Sequence, residues 1–142
     1  MASLNRTRFL LSGLAAGLVL NISGMVSAGL LGLAESFATF EVVPGGAGVL
    51  LHLALRFGIG LAGAYIYVSM TSRFGVGIRT ALRVGVLIWL IGYAPSLALL
   101  REVGFLSGQQ AVLIAAWGIV EACAAMSLAA LLYRPAGTGS AA

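Results

Sequence analysis

The sequence contains no lysine, no aspartate, one histidine and one cysteine, and only 8% of its 142 residues are charged. Because a water-soluble domain normally carries about 25% charged residues, this composition excludes one. A hydrophobic content of 61% excludes a disordered tail. Cys123 alone cannot form an internal disulfide, which excludes both a disulfide scaffold and a dithiol redox site. An integral membrane protein of one domain remains.

The same scarcity limits the chemistry available to the chain. One histidine, one cysteine and no paired acids cannot supply four metal ligands within one chain. Without aspartate there is no Ser-His-Asp triad, and no glycine-rich nucleotide loop follows a strand. The basic residues are distributed as expected for the loops of a membrane protein, and they show no nucleic-acid-binding signature. We therefore expect no enzyme activity, no metal, no cofactor and no nucleic-acid partner.

Long apolar stretches dominate what is present, and the mean hydropathy is +1.07. A helix needs roughly 20 apolar residues to cross a hydrocarbon core, and none of the stretches shows the strict alternation of a membrane β-barrel. The sequence predicts an all-α membrane domain, a four-helix bundle with a frayed tail at 136–142. Its four predicted spans are 9–33, 46–70, 80–100 and 108–133.

The amino end also resembles a cleavable signal peptide, since Arg6 and Arg8 precede an apolar run. That run continues to Leu33, longer than the apolar core of a signal, so we favour a transmembrane helix.

Arginine positions predict the orientation of the spans. With four spans, most arginines fall on one face of the membrane, and cytoplasmic loops normally hold the excess of positive charge. We therefore expect both termini to be cytoplasmic. The arginines of that face are Arg6, Arg8, Arg73, Arg79, Arg83 and Arg134. The residues of the opposite face are Arg101, Glu35, Glu41 and Glu102.

Most of the 20 glycines lie inside the predicted spans. In lipid, small residues let helix backbones approach closely. We expect the glycine faces to turn inward, although the GxxxG pattern in the first span is also compatible with a contact between two copies. The glycines predicted to pack are Gly13, Gly17, Gly24, Gly60, Gly63 and Gly92. The stripe predicted for the third span is Gly85, Trp89, Gly92 and Ser96, and Pro95 is expected to kink that span.

Asn21, His52, Arg56 and Glu121 are strongly polar residues within the predicted hydrocarbon region. An arginine or an acid at the membrane centre costs roughly 2.5–3.5 kcal/mol. Because Arg56 and Glu121 lie at similar depth, we predict an intramembrane ion pair. Asn21 and His52 are its expected hydrogen-bonding neighbours. The cluster either fixes helix register or serves a function, with Arg56 receiving a headgroup, a quinone or a small anion.

The turn between the second and third spans contains arginines suited to anionic lipid headgroups: Arg73, Arg79 and Arg83. Thr80 is expected to cap the third helix. The aromatic residues expected to anchor at the same interface are Tyr65, Tyr67, Phe74 and Tyr133.

The chain resembles a family of small four-span bacterial membrane proteins that has no assigned activity. The resemblance depends on an Arg-x-x-Phe start at Arg6, on Arg73-Phe74-Gly75-x-Gly77, and on Trp89-x-x-Gly92-Tyr93. It implies a multi-pass protein of the bacterial inner membrane, surrounded by lipid.

We expect an accessory or scaffolding subunit of a larger membrane complex, or a homo-oligomer. The first alternative is a transporter or channel for a small solute, with His52, Arg56 and Glu121 along its path. That alternative requires a water-accessible cavity that reaches Glu121. The second is a redox subunit that binds haem or quinone, in which His52 provides one axial ligand.

Overall fold

The computed structural model describes residues 5–31 and 45–133, and 90% of these are helical. Their helices confirm the predicted all-α four-helix fold, and each is long and apolar enough to cross a membrane. The helices are α1 (Arg6–Leu30), α2 (Gly46–Phe74), α3 (Ile78–Glu102) and α4 (Gly108–Leu132). The predicted features at 32–33, Glu35, Glu41, Arg134 and 136–142 lie outside the described residues.

Side-chain caps define two helix starts. The side chain of Asn5 accepts the amide N–H of Arg8 before α1. Ser107 and Gln110 form a capping box at α4, in which each side chain accepts the other's backbone N–H. These contacts satisfy amides that the first helical turn leaves without partners.

The turn between α2 and α3 is tighter than predicted. Gly75 and Gly77 adopt φ angles of 79° and 146°, which glycine tolerates and other residues rarely do. As a result α2 continues to Phe74 and α3 begins at Ile78. Thr80 does not cap α3 as predicted. Its buried hydroxyl instead donates to the carbonyls of Phe74 and Gly75, at 3.3 and 2.7 Å, and so holds the end of α2.

Helix α1 packs between α2 and α4, α3 packs mainly on α4, and the backbones of α2 and α3 come close along Ile78–Ile88. Arg8 and Leu132 border one cavity, so the start of α1 lies beside the end of α4. One end of the bundle, which we call the arginine end, therefore holds the α2–α3 turn and the start of α1. Its described arginines are Arg6, Arg8, Arg73, Arg79 and Arg83.

Glycine allows α1 and α2 to come into backbone contact. A Cβ on Gly60 would lie 2.5 Å from the carbonyl oxygen of Gly13. A Cβ on Gly13 would lie 2.9 Å from Cα of Leu61, and one on Gly17 would lie 2.8 Å from Cα of Phe57. The GxxxG face of α1 is therefore occupied by α2 of the same chain, which is the close approach that lipid-embedded helices use.

Two further glycines belong to close contacts. A Cβ on Gly63 would lie 2.7 Å from the sulfur of Met126, and one on Gly85 would lie 2.8 Å from Cα of Cys123. The prediction for Gly92 is wrong, because a Cβ there would meet open space.

The winding of α3 explains why the packing prediction for Gly92 is wrong. Trp89–Tyr93 forms a π turn, in which the N–H of Ala94 donates to the carbonyl of Trp89. The π turn ends two residues before Pro95, which has no N–H for the carbonyl one α-helical turn earlier. Because a π turn inserts an extra residue, a stripe drawn at the α-helical period does not stay on one face.

The buried core lies towards the arginine end and includes two of the tyrosines predicted to anchor at the interface. The Tyr67 and Tyr133 rings pack edge to face with centroids 6.2 Å apart, and both residues are buried. The Tyr67 hydroxyl accepts the N–H of Gly77 at 3.0 Å. The rings of these two residues therefore pack inside the bundle beside the turn, whereas Tyr65 and Phe74 are exposed.

Candidate functional site

An ion pair joins α2 to α4 in the interior of the bundle. Arg56 Nη1 lies 2.8 Å from Glu121 Oε1. The side chain of Glu121 is 2% exposed and that of Arg56 is 13% exposed, so little of either charge faces outward. Opposite charges at this distance compensate each other, which neither residue could achieve alone in an apolar interior.

Tyr93 from α3 closes a triangle with the ion pair. Its hydroxyl donates to Glu121 Oε1 at 2.9 Å and accepts from Arg56 Nη2 at 3.2 Å. Tyr93 is the last residue of the π turn, so the irregular winding of α3 helps to determine where this hydroxyl lies. π turns of this kind are frequent at functional sites.

Helix α1 contributes a hydroxyl to the second carboxylate oxygen. Ser23 Oγ donates to Glu121 Oε2 at 3.2 Å and accepts from Trp117 Nε1 at 2.8 Å. We call Ser23, Arg56, Tyr93, Trp117 and Glu121 the polar network. Each of the four helices supplies at least one of its members, so the network fixes the relative position of all four.

The backbone of α1 makes room for the guanidinium. Arg56 Nη1 also donates to the carbonyl of Leu20. A Cβ on Gly24 would overlap the guanidinium, so only glycine fits at that position with Arg56 in this place. Gly24 was predicted to pack against a helix, and its contact in the structure is this side chain.

The predicted neighbours of the ion pair lie elsewhere. Asn21 is buried, but its amide nitrogen donates to the carbonyls of Gly17 and Leu53, at 2.9 and 3.5 Å. Its Oδ1 has no described partner. His52 lies one helical turn from Arg56, is exposed, and makes no hydrogen bond to a described residue. The ion pair is instead hydrogen-bonded by Tyr93 and Ser23, and not by Asn21 and His52 as predicted.

Sequence reasoning missed Ser23, Tyr93 and Trp117 because such residues are common in membrane spans. One signal could have found Tyr93. It lies three residues from the middle of α3, on the same side of the membrane centre as Arg56, which lies four residues from the middle of α2. At ~1.5 Å per residue these positions have nearly equal depth.

The arginines of the turn do not reach this site. Arg73, Arg79 and Arg83 are exposed at the arginine end. The guanidinium carbons of Arg73 and Arg83 lie 5.5 and 4.5 Å from the centroid of the Phe74 ring. At these distances cation–π attraction holds two of the three guanidinium groups beside the turn.

A cavity of about 190 Å³ lies beside the ion pair, in the half of the bundle away from the arginine end. All four helices line it, and Arg56 and Glu121 both border it. At roughly 30 Å³ per water, this volume admits several water molecules or one small solute. The lining residues that carry polar side-chain groups are Ser27, His52, Arg56, Tyr93, Trp117 and Glu121.

Among the described residues, no group of three His, Cys, Asp or Glu side chains could hold a metal ion. Comparison of the chain with family models, curated proteins and solved structures gives no match.

Proposed function

We propose that the protein is a bacterial inner-membrane protein that binds a small solute between its helices and transports it. The observation that carries the proposal is the cavity that reaches Glu121. A polar residue in the hydrocarbon region is expensive and usually serves substrate or ion movement. The Arg56–Glu121 pair would then be an intramembrane pair at the inner end of a solute path.

Burial and charge support a binding role for the cavity. An ion pair whose only role is to hold helices together needs no open volume beside it, since interiors are otherwise close-packed. His52 adds an imidazole with no described hydrogen-bond partner to the wall of the same volume. The site therefore combines a compensated charge pair with one uncommitted polar group.

The distribution of charge supports an orientation for this path. The described arginine end carries five arginines and no acid, and positive charge of this kind normally stays in the cytoplasm. We infer that the cavity lies in the half of the membrane that faces away from the cytoplasm.

Cysteine accessibility tests the solute path. Ile114 lines the cavity, whereas its neighbour Leu113 has nearly the same depth and is 45% exposed on the flank of the bundle. In a Cys123→Ala background, we expect a membrane-impermeant thiol reagent to modify Ile114→Cys and to leave Leu113→Cys unmodified. The reaction needs a hydrated thiolate. If Ile114→Cys is as inert as Leu113→Cys, no water reaches the cavity and the proposal fails.

An accessory-subunit role is the second candidate, and the polar network favours it. Every helix contributes to the network, and Glu121 accepts hydrogen bonds from protein groups at both of its oxygens. The presence of these charged residues is therefore also explained if their only role is to fix the register of the helices. Mild solubilisation from native membranes tests this candidate: a partner present in fixed stoichiometry would support it, and a chain that purifies alone would count against it.

A further inference from the structure

A second and larger cavity opens on the flank of the bundle between α2 and α3. Its volume is about 460 Å³, within the range of small-molecule pockets. It lies in the same half of the bundle as the smaller cavity. Most of its wall is aliphatic or aromatic, including Leu55, Ile59, Ile88, Leu97, Leu100 and Phe105.

The opening results from the way the two helices diverge. In the described residues the backbone of α2 comes close to Ile78–Ile88 but not to the π turn or to Ala94–Glu102, and the side chain of Arg56 reaches Tyr93 across the gap. Leu55 and Ile59 at the mouth are 59% and 38% exposed on the outer surface of α2. Each of these helices is long and apolar enough to cross a membrane, so in a bilayer a mouth between them would face hydrocarbon. A molecule dissolved in the bilayer can therefore enter sideways.

The two cavities meet at a polar wall. His52, Arg56, Tyr93 and Ile114 line both of them. Arg56 and Glu121 are the described charged residues along these walls, and they are paired at 2.8 Å. The wall thus has hydrogen-bonding groups, and the charges of its arginine and its carboxylate cancel. A charged head would be buried here without a counter-ion, which is strongly unfavourable, whereas an uncharged oxygen can accept a hydrogen bond.

We propose that the larger cavity binds an uncharged amphiphile from the bilayer. Its apolar chain lies between α2 and α3, and its oxygen-bearing head lies at His52 and Arg56, at the entrance to the smaller cavity. This inference rests on the proposed function and names the chemical class of its solute.

Photo-crosslinking in lipid nanodiscs tests the class of ligand. The probe is a long-chain alcohol with a diazirine in its chain, and the comparison is the alkyl sulfate of the same chain, which is always charged. We expect the alcohol to label residues of Ala94–Glu102 and an excess of unlabelled alcohol to prevent it. Equal or stronger labelling of the same residues by the sulfate would overturn the inference.

Two leucines that are two residues apart in α3 provide a matched pair of variants. Leu97 lines the cavity, whereas Leu99 is 64% exposed outside it. We expect Leu97→Trp to reduce labelling by the alcohol about tenfold, because the larger ring displaces roughly two methylenes of the ligand chain. Leu99→Trp should label as the wild type does. If Leu97→Trp does not fold, Leu100→Trp replaces it, since Leu100 also lines the cavity. Undiminished labelling of a folded cavity variant would refute the site.

The polar end has its own test. His52→Phe keeps an aromatic ring but removes the hydrogen-bonding nitrogens, so we expect about fivefold weaker labelling by the alcohol, as for one lost hydrogen bond. The failures remain distinguishable. If Ile114→Cys reacts with the aqueous reagent but the alcohol does not label the cavity, only the amphiphile inference fails. If Ile114→Cys is inert, the solute path itself fails.

Discussion

Replacing Glu121 with glutamine would remove one charge from the interior while almost preserving its shape. The amide oxygen of the new side chain could still accept the hydrogen bonds that Arg56 and Tyr93 now give to Glu121 Oε1. The main change is electrostatic, because Arg56 would keep its charge in a place where it is only 13% exposed.

The expected loss of stability is large. Removing one partner of a buried ion pair typically costs 3–5 kcal/mol, because the other charge stays buried and uncompensated. We take the lower end, about 3 kcal/mol, since the guanidinium keeps its bond to the carbonyl of Leu20. For a chain of this size that corresponds to a thermal midpoint lower by roughly 10 °C.

Thermal unfolding in detergent, followed by the fluorescence of Trp89 and Trp117, would measure the effect. The chain provides a matched control in Arg101 and Glu102, whose charged atoms lie 3.8 Å apart with both side chains mostly exposed. We expect Glu102→Gln to change stability by less than about 0.5 kcal/mol, as surface pairs do.

A double variant separates charge from packing. Arg56→Gln combined with Glu121→Gln removes both charges, so we expect it to be more stable than Glu121→Gln alone, as a neutralised pair should be. The reasoning would be refuted if Glu121→Gln melted together with Glu102→Gln, or if the double variant lost the sum of the two single losses.

Two further substitutions probe the helix contacts. Gly60→Ala should destabilise the bundle by about 1–3 kcal/mol in thermal unfolding, because its Cβ would meet the backbone of Gly17. Gly58→Ala, which faces open space on the same helix, should be neutral or stabilising, and equal effects of both would contradict the close approach. Tyr93→Phe should lower the stability by about 1 kcal/mol, because it removes the hydroxyl bonded to Glu121. An unchanged thermal midpoint would show that this bond does not stabilise the fold.

The fold was largely predictable because hydropathy determines which segments can cross a membrane. Matching depth was also enough to bring Arg56 and Glu121 together, since α2 and α4 are parallel helices of similar length and place residues near their middles at similar levels. Depth does not define the direction in which a side chain points around its helix. That is why Asn21, near the middle of α1, faces Leu53 rather than the ion pair.

The error at Gly92 has a physical cause. Gly92 was assigned to an inward stripe from a regular α-helical period, and the π turn at Trp89–Tyr93 breaks that period. Pro95 indicated a distortion, but a missing N–H does not specify whether the helix will kink or wind more loosely. The burial of Tyr67 was hard to predict for a different reason: tyrosine suits both an interface and a core with a partner for its hydroxyl.

The surplus residue held in α3 makes the two halves of that helix mechanically separable. If the π turn moved along the helix, Ala94–Glu102 would rotate about the helix axis, while Ile78–Ile88 stayed packed against its neighbours. Such a rotation would widen or narrow the mouth of the larger cavity. The same movement would carry the Tyr93 hydroxyl away from Arg56 and Glu121. Access from the bilayer and the integrity of the charged centre would then change together.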